Sequence, residues 1–233
     1  MTVCARSGLE EPYFLQSAYT DVDYHRGHAQ FRRSDTAAIR PSDCFQPFNQ
    51  GIFIDIFPLD AVPDDQEAVE KAYRKTHRIL KFLKAKNTHC LSSGRLTLIF
   101  RKLKARHCVR RHGWLYYYRQ VDDAMRQLAD LPGSRLGEVI MNTRLQWDRH
   151  VFDETVWLPF ENIRVPAPKD YDAFLRGEFG DDYMTPRQEP NMHGQVVFDN
   201  TRRSYREVLP EVRRRYRLSA LSRLVSKIAG KRK

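Results

Sequence analysis

The sequence contains neither a membrane-spanning segment nor a secretory signal. No uninterrupted apolar run approaches the roughly 20 residues that a transmembrane helix needs. The amino terminus lacks the basic segment followed by an apolar segment that is typical of a signal peptide. From these two absences we expect a cytoplasmic protein.

Cysteine is scarce, and internal repeats are absent. The four cysteines, Cys4, Cys44, Cys90 and Cys108, include no CxxC pair. A scattered set of this kind is typical of reduced thiols in the cytosol and argues against a disulfide framework.

Charge of one sign is in excess. The chain has 40 Lys and Arg against 29 Asp and Glu, a net charge of +11 and a pI near 9.6. We therefore expect an anionic partner, such as nucleotide phosphates or an anionic membrane surface. Nucleic acid is not expected, because the helices lack the patterns of the common DNA and RNA modules. With 233 residues, 41% of them hydrophobic, the chain can form a real core.

The most informative stretch is residues 51–60, which predict a β-strand that ends at Pro58. Three isoleucines fall on one side at a period of two, and Phe53, Asp55 and Phe57 fall on the other. Both sides are apolar, which predicts a sheet covered on both faces. Asp55 is the exception. Burying its carboxylate is costly unless it is hydrogen-bonded, paired or metal-bound. It is therefore either a satisfied structural residue or part of an active site.

Further strands are predicted at residues 13–19 and 31–39. The second carries Arg32 and Arg33, whose guanidinium groups match phosphate oxygens but are equally consistent with solvated surface arginines. Residues 136–147 are ambiguous between helix and strand. Residues 151–160 are predicted to be extended, with Trp157 and Phe160 buried.

Helices are predicted at 65–86, 95–111 and 114–130, with apolar stripes and basic outer faces. Their one-signed charge fits either solvated faces or contact with anionic lipid or a polyanionic substrate.

A short helix begins near residue 168, and Gly177 and Gly180 are predicted to end it. The polar loop 181–193 suits ligand contacts. Residues 201–233 predict a basic amphipathic helix, with a gap at Pro210, of the type that lies on an anionic membrane or frays in solution.

Two distant blocks of the sequence resemble the LicD family of phosphocholine transferases. The first comprises residues 13–16, Thr36 and the run Asn-Gln-Gly-Ile-Phe-Ile-Asp-Ile-Phe-Pro-Leu-Asp at 49–60. The second comprises the run Leu-Pro-Phe-Glu-Asn-Ile-Arg-Val-Pro-Ala-Pro-Lys-Asp-Tyr-Asp at 158–172, then Phe-Gly-Asp-Asp-Tyr-Met at 179–184, Pro186 and His193. They follow the family's order and together span roughly residues 13–205.

The resemblance implies a nucleotidyltransferase-like fold, a CDP-alcohol donor, Mg²⁺, and transfer of phosphocholine or a related phospho-alcohol to a sugar hydroxyl. The acceptor would be a cell-surface glycan such as a teichoic acid or lipopolysaccharide precursor. Asp55 would be the catalytic residue and a metal ligand, because it matches the third carboxylate of that fold. The substrate-binding candidates are Arg32, Arg33, Thr36, Asp60, Glu161, Asp181, Asp182 and His193.

The sequence also departs from the family. The family's glycine-containing loop and acidic metal-binding cluster have no counterpart in residues 1–50, and Asp21 with Asp23 lies in a polar loop where we expect no metal. Asn49 stands where relatives often have His, and Gln30 where a basic residue is common. We therefore expect a chain truncated at its amino terminus.

Three functions follow from these observations. The first is a LicD-type transferase. The second is a non-catalytic remnant that still binds nucleotide or glycan, or completes a site with another chain. The third is a basic peripheral protein at the inner face of the membrane.

The expected fold class is α/β (α+β), with an incomplete nucleotidyltransferase-like mixed sheet. Four segments are predicted. They are a partial sheet (1–62), a basic helical region (63–133), the carboxy-terminal part of the LicD-like domain (134–205) and a basic tail (206–233).

Overall fold

A computed structural model describes residues 9–40, 43–87, 96–186 and 198–229, with side chains in the last helix as far as Arg217. The described strands are β1 (Tyr13–Gln16), β2 (Ala29–Arg33), β3 (Ala37–Ile39), β4 (Ile52–Ile56), β5 (Asp60–Val62), β6 (Arg135–Gly137), β7 (Gln146–Asp148), β8 (Thr155–Phe160), β9 (Ile163–Pro168) and β10 (Phe198–Asn200). The helices are α1 (Gln66–Ala85), α2 (Leu96–His112), α3 (Trp114–Ala129), α4 (Tyr171–Phe179) and α5 (Tyr205–Ala229). A 3-10 helix spans Arg149–Phe152.

Several small sheets replace the single mixed sheet that the sequence predicts. In the described ranges the strand orders are β1-β2-β4, β10-β3, β5-β6-β7 and β8-β9, and every pairing is antiparallel. The α+β class is confirmed. The predicted strand at 31–39 is two strands, β2 and β3, because the chain turns between them.

The chain divides into two compact units, each assembled from separate stretches. The first comprises 1–56, 80–116 and 191–233, and the second comprises 57–79 and 117–190. The first contains β1-β2-β4 and β10-β3, whereas the second contains β5-β6-β7, β8-β9 and α4. These boundaries differ from the four consecutive segments expected from the sequence.

The core of the first unit joins β3 to the beginning of α5. Three residues of α5 are buried in one cluster with Ala37, Ile39 and Cys44; they are Val208, Leu209 and Val212. Arg213 of α5 donates from Nε to the carbonyl oxygen of Cys44 at 2.6 Å. Residues 206–217, expected to begin a tail, therefore contribute to this core. The predicted gap at Pro210 is wrong, since α5 continues through it.

The sheet β1-β2-β4 is covered on one face only, so the expectation of two covered faces is wrong. The isoleucines of β4 face solvent, and Ile54 is 69% exposed. On the same face Tyr13 stacks on Phe31, with ring centroids 5.7 Å apart. The other face carries polar side chains that are buried.

In the second unit, Trp147 of β7 holds α4 in place. Its ring lies 4.9 Å from that of Phe174, and its Nε1 donates to the carbonyl oxygen of Phe174 at 3.1 Å. Gly177 lies inside α4 and does not end it; a Cβ there would collide with Trp147 Nε1. The helix ends before Gly180, whose φ of +90° favours glycine.

The three helices predicted between residues 65 and 130 are confirmed as α1, α2 and α3. The ambiguous stretch 136–147 begins and ends in the short strands β6 and β7. The predicted extended stretch is β8, but Trp157 and Phe160 on it are exposed, so their expected burial is wrong. In the described part of the chain, no helix combines the length and apolarity needed to cross a bilayer.

Candidate functional site

Asp55 lies on β4, at the edge of the β1-β2-β4 sheet. The strand register pairs Gln30 with Asp55 and Arg32 with Phe53. Side chains that alternate along a strand point to opposite faces, so Gln30, Arg32, Phe53 and Asp55 share one face. Asp55 is therefore on the polar, buried side of the sheet.

Two neighbouring side chains lie beside one oxygen of Asp55, and Gln30 forms a hydrogen bond to it. Gln30 donates from Nε2 to Oδ1 at 2.5 Å, and His28 Nε2 lies 3.3 Å from the same oxygen. The side chain of Asp55 is 16% exposed. Its other oxygen, Oδ2, has no hydrogen-bond partner among the described residues and is the atom available for a ligand.

Arg32 lies at the centre of a larger group of hydrogen bonds, which we call the Arg32 network: Gln16, Asp21, Gln30, Arg32 and Asp55. Arg32 Nε donates to Gln16 Oε1, and Nη2 donates to Gln30 Oε1. Each glutamine then donates from Nε2 to a carboxylate, Gln16 to Asp21 at 2.8 Å and Gln30 to Asp55. The network thus runs from one carboxylate to another through two amides and one guanidinium.

The start of β4 completes the coordination of Arg32. Nη1 of Arg32 donates to the carbonyl oxygen of Gly51 at 2.6 Å, and the guanidinium carbon lies 4.7 Å from the ring centroid of Phe53. A Cβ at position 51 would collide with the carbonyl oxygen of Arg33. Glycine at this position therefore lets β4 approach β2 closely enough to accept the bond.

The environment keeps Asp55 ionised. Burial by itself raises the pKa of Asp55, but the contacts from His28 and Gln30 outweigh burial and hold the pKa at about 2. Burial lowers the pKa of Arg32 to about 10, so the guanidinium is still charged at neutral pH. The network therefore contains one buried cation and ionised Asp55 on the same face.

The three substrate candidates in the first unit all make contacts within the protein. Arg32 is 2% exposed and donates to three acceptors of the protein, and its expected contact with a phosphate stays a prediction. Arg33 lies on the opposite face of β2 from Asp55 and forms an exposed ion pair with Asp35 at 2.9 Å. Thr36 is buried; its Oγ1 donates to the carbonyl oxygen of Arg33 and accepts from the backbone N–H of Ile52, which fixes the turn before β3.

Four other candidates lie in the second unit. Asp60, on β5, has an Oδ2 that is buried without a hydrogen-bond partner, and burial raises its pKa to about 6. Glu161 occupies the exposed turn between β8 and β9, with a φ of +52°. Asp181 and Asp182 are exposed after α4, where Asp181 accepts from Arg176 Nη1 at 3.4 Å. His193 lies outside the described residues.

The polar residues around Asp55 were not predicted from the sequence. Gln16 and Gln30 were not connected with Asp55 or with each other, and His28 was not considered. One signal was available, because His28, Gln30 and Arg32 alternate at the period of a strand that must place all three on one face. Their link to β4 needed the strand register.

The donor set around Asp55 does not make a magnesium site by itself. Mg²⁺ prefers an octahedral shell of oxygen ligands. Across ranges 9–40, 43–87, 96–186 and 198–217, no group of three or more His, Cys, Asp or Glu side chains is arranged to hold a metal ion. The neighbours of Asp55 are instead hydrogen-bond donors, so Asp55 offers at most one carboxylate ligand.

Comparison with known proteins does not extend these observations. No family model matches the chain, and neither a curated protein nor a solved structure matches it significantly.

Proposed function

We propose that this chain is a LicD-like transferase component that uses Asp55 to move a phospho-alcohol from a CDP-linked donor to a sugar hydroxyl. The nucleotidyltransferase-like fold is part of the same proposal. The observation that carries it is the state of Asp55, a carboxylate that Gln30 binds through Oδ1, that is ionised at neutral pH and whose Oδ2 has no hydrogen-bond partner among the described residues. The motif around it in the sequence supports the choice of family.

The reaction itself asks little covalent chemistry of the protein. The acceptor hydroxyl attacks the phosphorus that bears the alcohol, the bond to the bridging oxygen breaks, CMP leaves, and the hydroxyl proton goes to a base. A carboxylate whose pKa is about 2 is a poor base near neutrality. Asp55 is therefore assigned to charge stabilisation and ligand binding, and proton removal is assigned to another group. Any further metal ligands would have to come from residues other than those described.

The test compares the two carboxylates at the ends of the Arg32 network. Both Asp55→Asn and Asp21→Asn keep an oxygen that can accept from the neighbouring glutamine, so both are expected to fold. CMP release is measured with CDP-choline, CDP-ethanolamine, CDP-ribitol and CDP-glycerol, in magnesium and in EDTA. We expect metal-dependent release by the unmodified chain, a loss of at least about 100-fold in Asp55→Asn, and little change in Asp21→Asn.

Equal turnover in the two variants would assign Asp55 a structural role only. Absence of turnover in the unmodified chain with every donor would contradict the transferase proposal.

A second candidate function is binding without chemistry. It is favoured by the incomplete donor set around Asp55 in the described residues. Titration calorimetry with the same CDP-alcohols separates the two functions, because a binding protein would give heats of binding that Asp55→Asn weakens, without any release of CMP.

A further inference from the structure

The outer face of α2 is unusual because its apolar side chains face solvent. Ile99, Phe100 and Leu103 are exposed, and Phe100 is 70% exposed. The apolar stripe from which the sequence predicts an amphipathic helix therefore faces solvent and does not contribute to a core. Among the residues of this helix whose side chains the structure describes, Ala105 is buried, and it lies on the opposite side.

Toward the carboxyl end of α2, the same face of the helix carries basic side chains. Residues spaced by three and four lie on one side of a helix. One stripe therefore runs Ile99, Leu103, Arg106, Arg110, and the adjacent stripe begins with Phe100 and ends with Lys104, His107 and Arg111. We call these two stripes the α2 outer face. Each is apolar in its first turn and becomes basic along the helix.

No acidic residue close in the sequence neutralises the positive charge of this face. Residues 71–121 contain 15 Lys and Arg and no Asp or Glu. Within the described part of the chain, Lys104, Arg106, Arg110 and Arg111 form no ion pair. The helix dipole accounts for cations in the last turn, but it does not account for exposed Phe and Leu in the first turns.

We propose that the α2 outer face binds an anionic lipid surface, with the apolar side chains entering the headgroup region and the basic side chains contacting lipid phosphates. Apolar and basic side chains follow one another along this face instead of lying on opposite sides of the helix. Their combination without acidic residues matches the chemistry of an anionic lipid surface. A soluble polyanion would be attracted by the charge alone and leaves the exposure of Phe100 and Leu103 without a role. This surface is independent of the transferase proposal.

The experiment is co-sedimentation of the full chain with phosphatidylcholine vesicles, with and without phosphatidylglycerol. We expect binding only to the anionic vesicles, and partial release by salt. The variant Phe100→Ser/Leu103→Ser tests the apolar part, and Arg110→Gln/Arg111→Gln tests the basic part. Each is expected to weaken partitioning by roughly tenfold or more.

Matched controls come from the second unit, where Arg144 and Arg149 are exposed and Phe179 and Met184 are exposed apolar residues. Arg144→Gln/Arg149→Gln and Phe179→Ser/Met184→Ser are expected to bind as the unmodified chain does. Thermal unfolding of every variant verifies that it is folded.

Two results would overturn the proposal. One is equal loss of binding in the two arginine pairs with no loss in Phe100→Ser/Leu103→Ser, which would indicate general attraction of a basic protein to any polyanion. The other is equal binding to vesicles with and without phosphatidylglycerol.

Discussion

At the scale of single residues, position on a strand decides the role of an arginine. Arg32 and Arg33 are adjacent in the sequence, yet one is buried in the Arg32 network and the other is exposed beside Asp35. The alternation of side chains across a strand is the whole cause of this difference. The two residues therefore form a natural pair for experiment.

Replacing Arg32 should destabilise the first unit severely, whereas replacing Arg33 should not. Arg32→Ala leaves the side-chain oxygens of Gln16 and Gln30 without their donor, and we expect a loss of about 3–5 kcal/mol in the free energy of unfolding. Arg33→Ala removes an exposed ion pair, and the loss should be under about 1 kcal/mol. Urea denaturation measures both. Similar losses in the two variants would contradict the importance of the network.

Asp60 predicts a dependence of stability on pH. Burial raises its pKa from 3.8 to about 6, so the unfolded chain loses the proton before the folded chain does. The contribution of Asp60 is fully favourable below pH 3.8 and is lost as the pH rises through about 6, with a total change of up to about 3 kcal/mol. Asp60→Asn should remove this slope in urea denaturation between pH 4 and pH 7.5. The exposed Asp130→Asn serves as control and should leave the slope unchanged.

At the scale of elements, close packing of Trp147 on α4 depends on one glycine. Gly177→Ala raises helix propensity, but its Cβ must displace the indole of Trp147. We expect net destabilisation of about 1–3 kcal/mol by thermal or urea denaturation. In a Trp147→Ala background the same substitution should be neutral or stabilising, because the obstacle is gone. Additive effects of the two substitutions would contradict direct contact.

The elements themselves were largely predictable from the sequence. The apolar spacing of three and four gave α1, α2 and α3 within one or two residues, because helix periodicity is a local property. Burial was less predictable. The isoleucines of β4, together with Trp157 and Phe160, are apolar but exposed, and whether a face is covered depends on which distant elements pack there.

The candidate site was predictable only in part for the same reason. Asp55 stood out because a carboxylate in an apolar strand needs partners. Its neighbours are Gln30 of β2, 25 residues away in the sequence, and His28, which immediately precedes that strand. The pairing of Gln30 with Asp55 is identified only by the register of two strands. The burial of Arg32 was not foreseen, because the sequence does not show which arginine of the pair faces inward; its contact with a phosphate stays a prediction.

At the scale of the whole molecule, the two compact units provide independent probes. Trp114 belongs to the first unit, and Trp147 and Trp157 belong to the second. Because the chain divides into two compact units, we expect unfolding that is not two-state. Arg32→Ala should shift the fluorescence transition of a chain that retains only Trp114 more than that of a chain that retains only Trp147. Coincident shifts would indicate that the chain unfolds as one cooperative body.

The composition of the Arg32 network has a consequence for proton movement. Neither a glutamine amide nor a guanidinium with a pKa of about 10 gives up a proton readily near neutral pH. The hydrogen bonds between Asp21 and Asp55 can therefore transmit the effect of charge, but they do not conduct protons. A proton therefore cannot reach Asp55 from Asp21 through these bonds. Acid–base exchange at this carboxylate is left to the imidazole of His28, whose Nε2 lies 3.3 Å from Oδ1, and to whatever molecule contacts Oδ2.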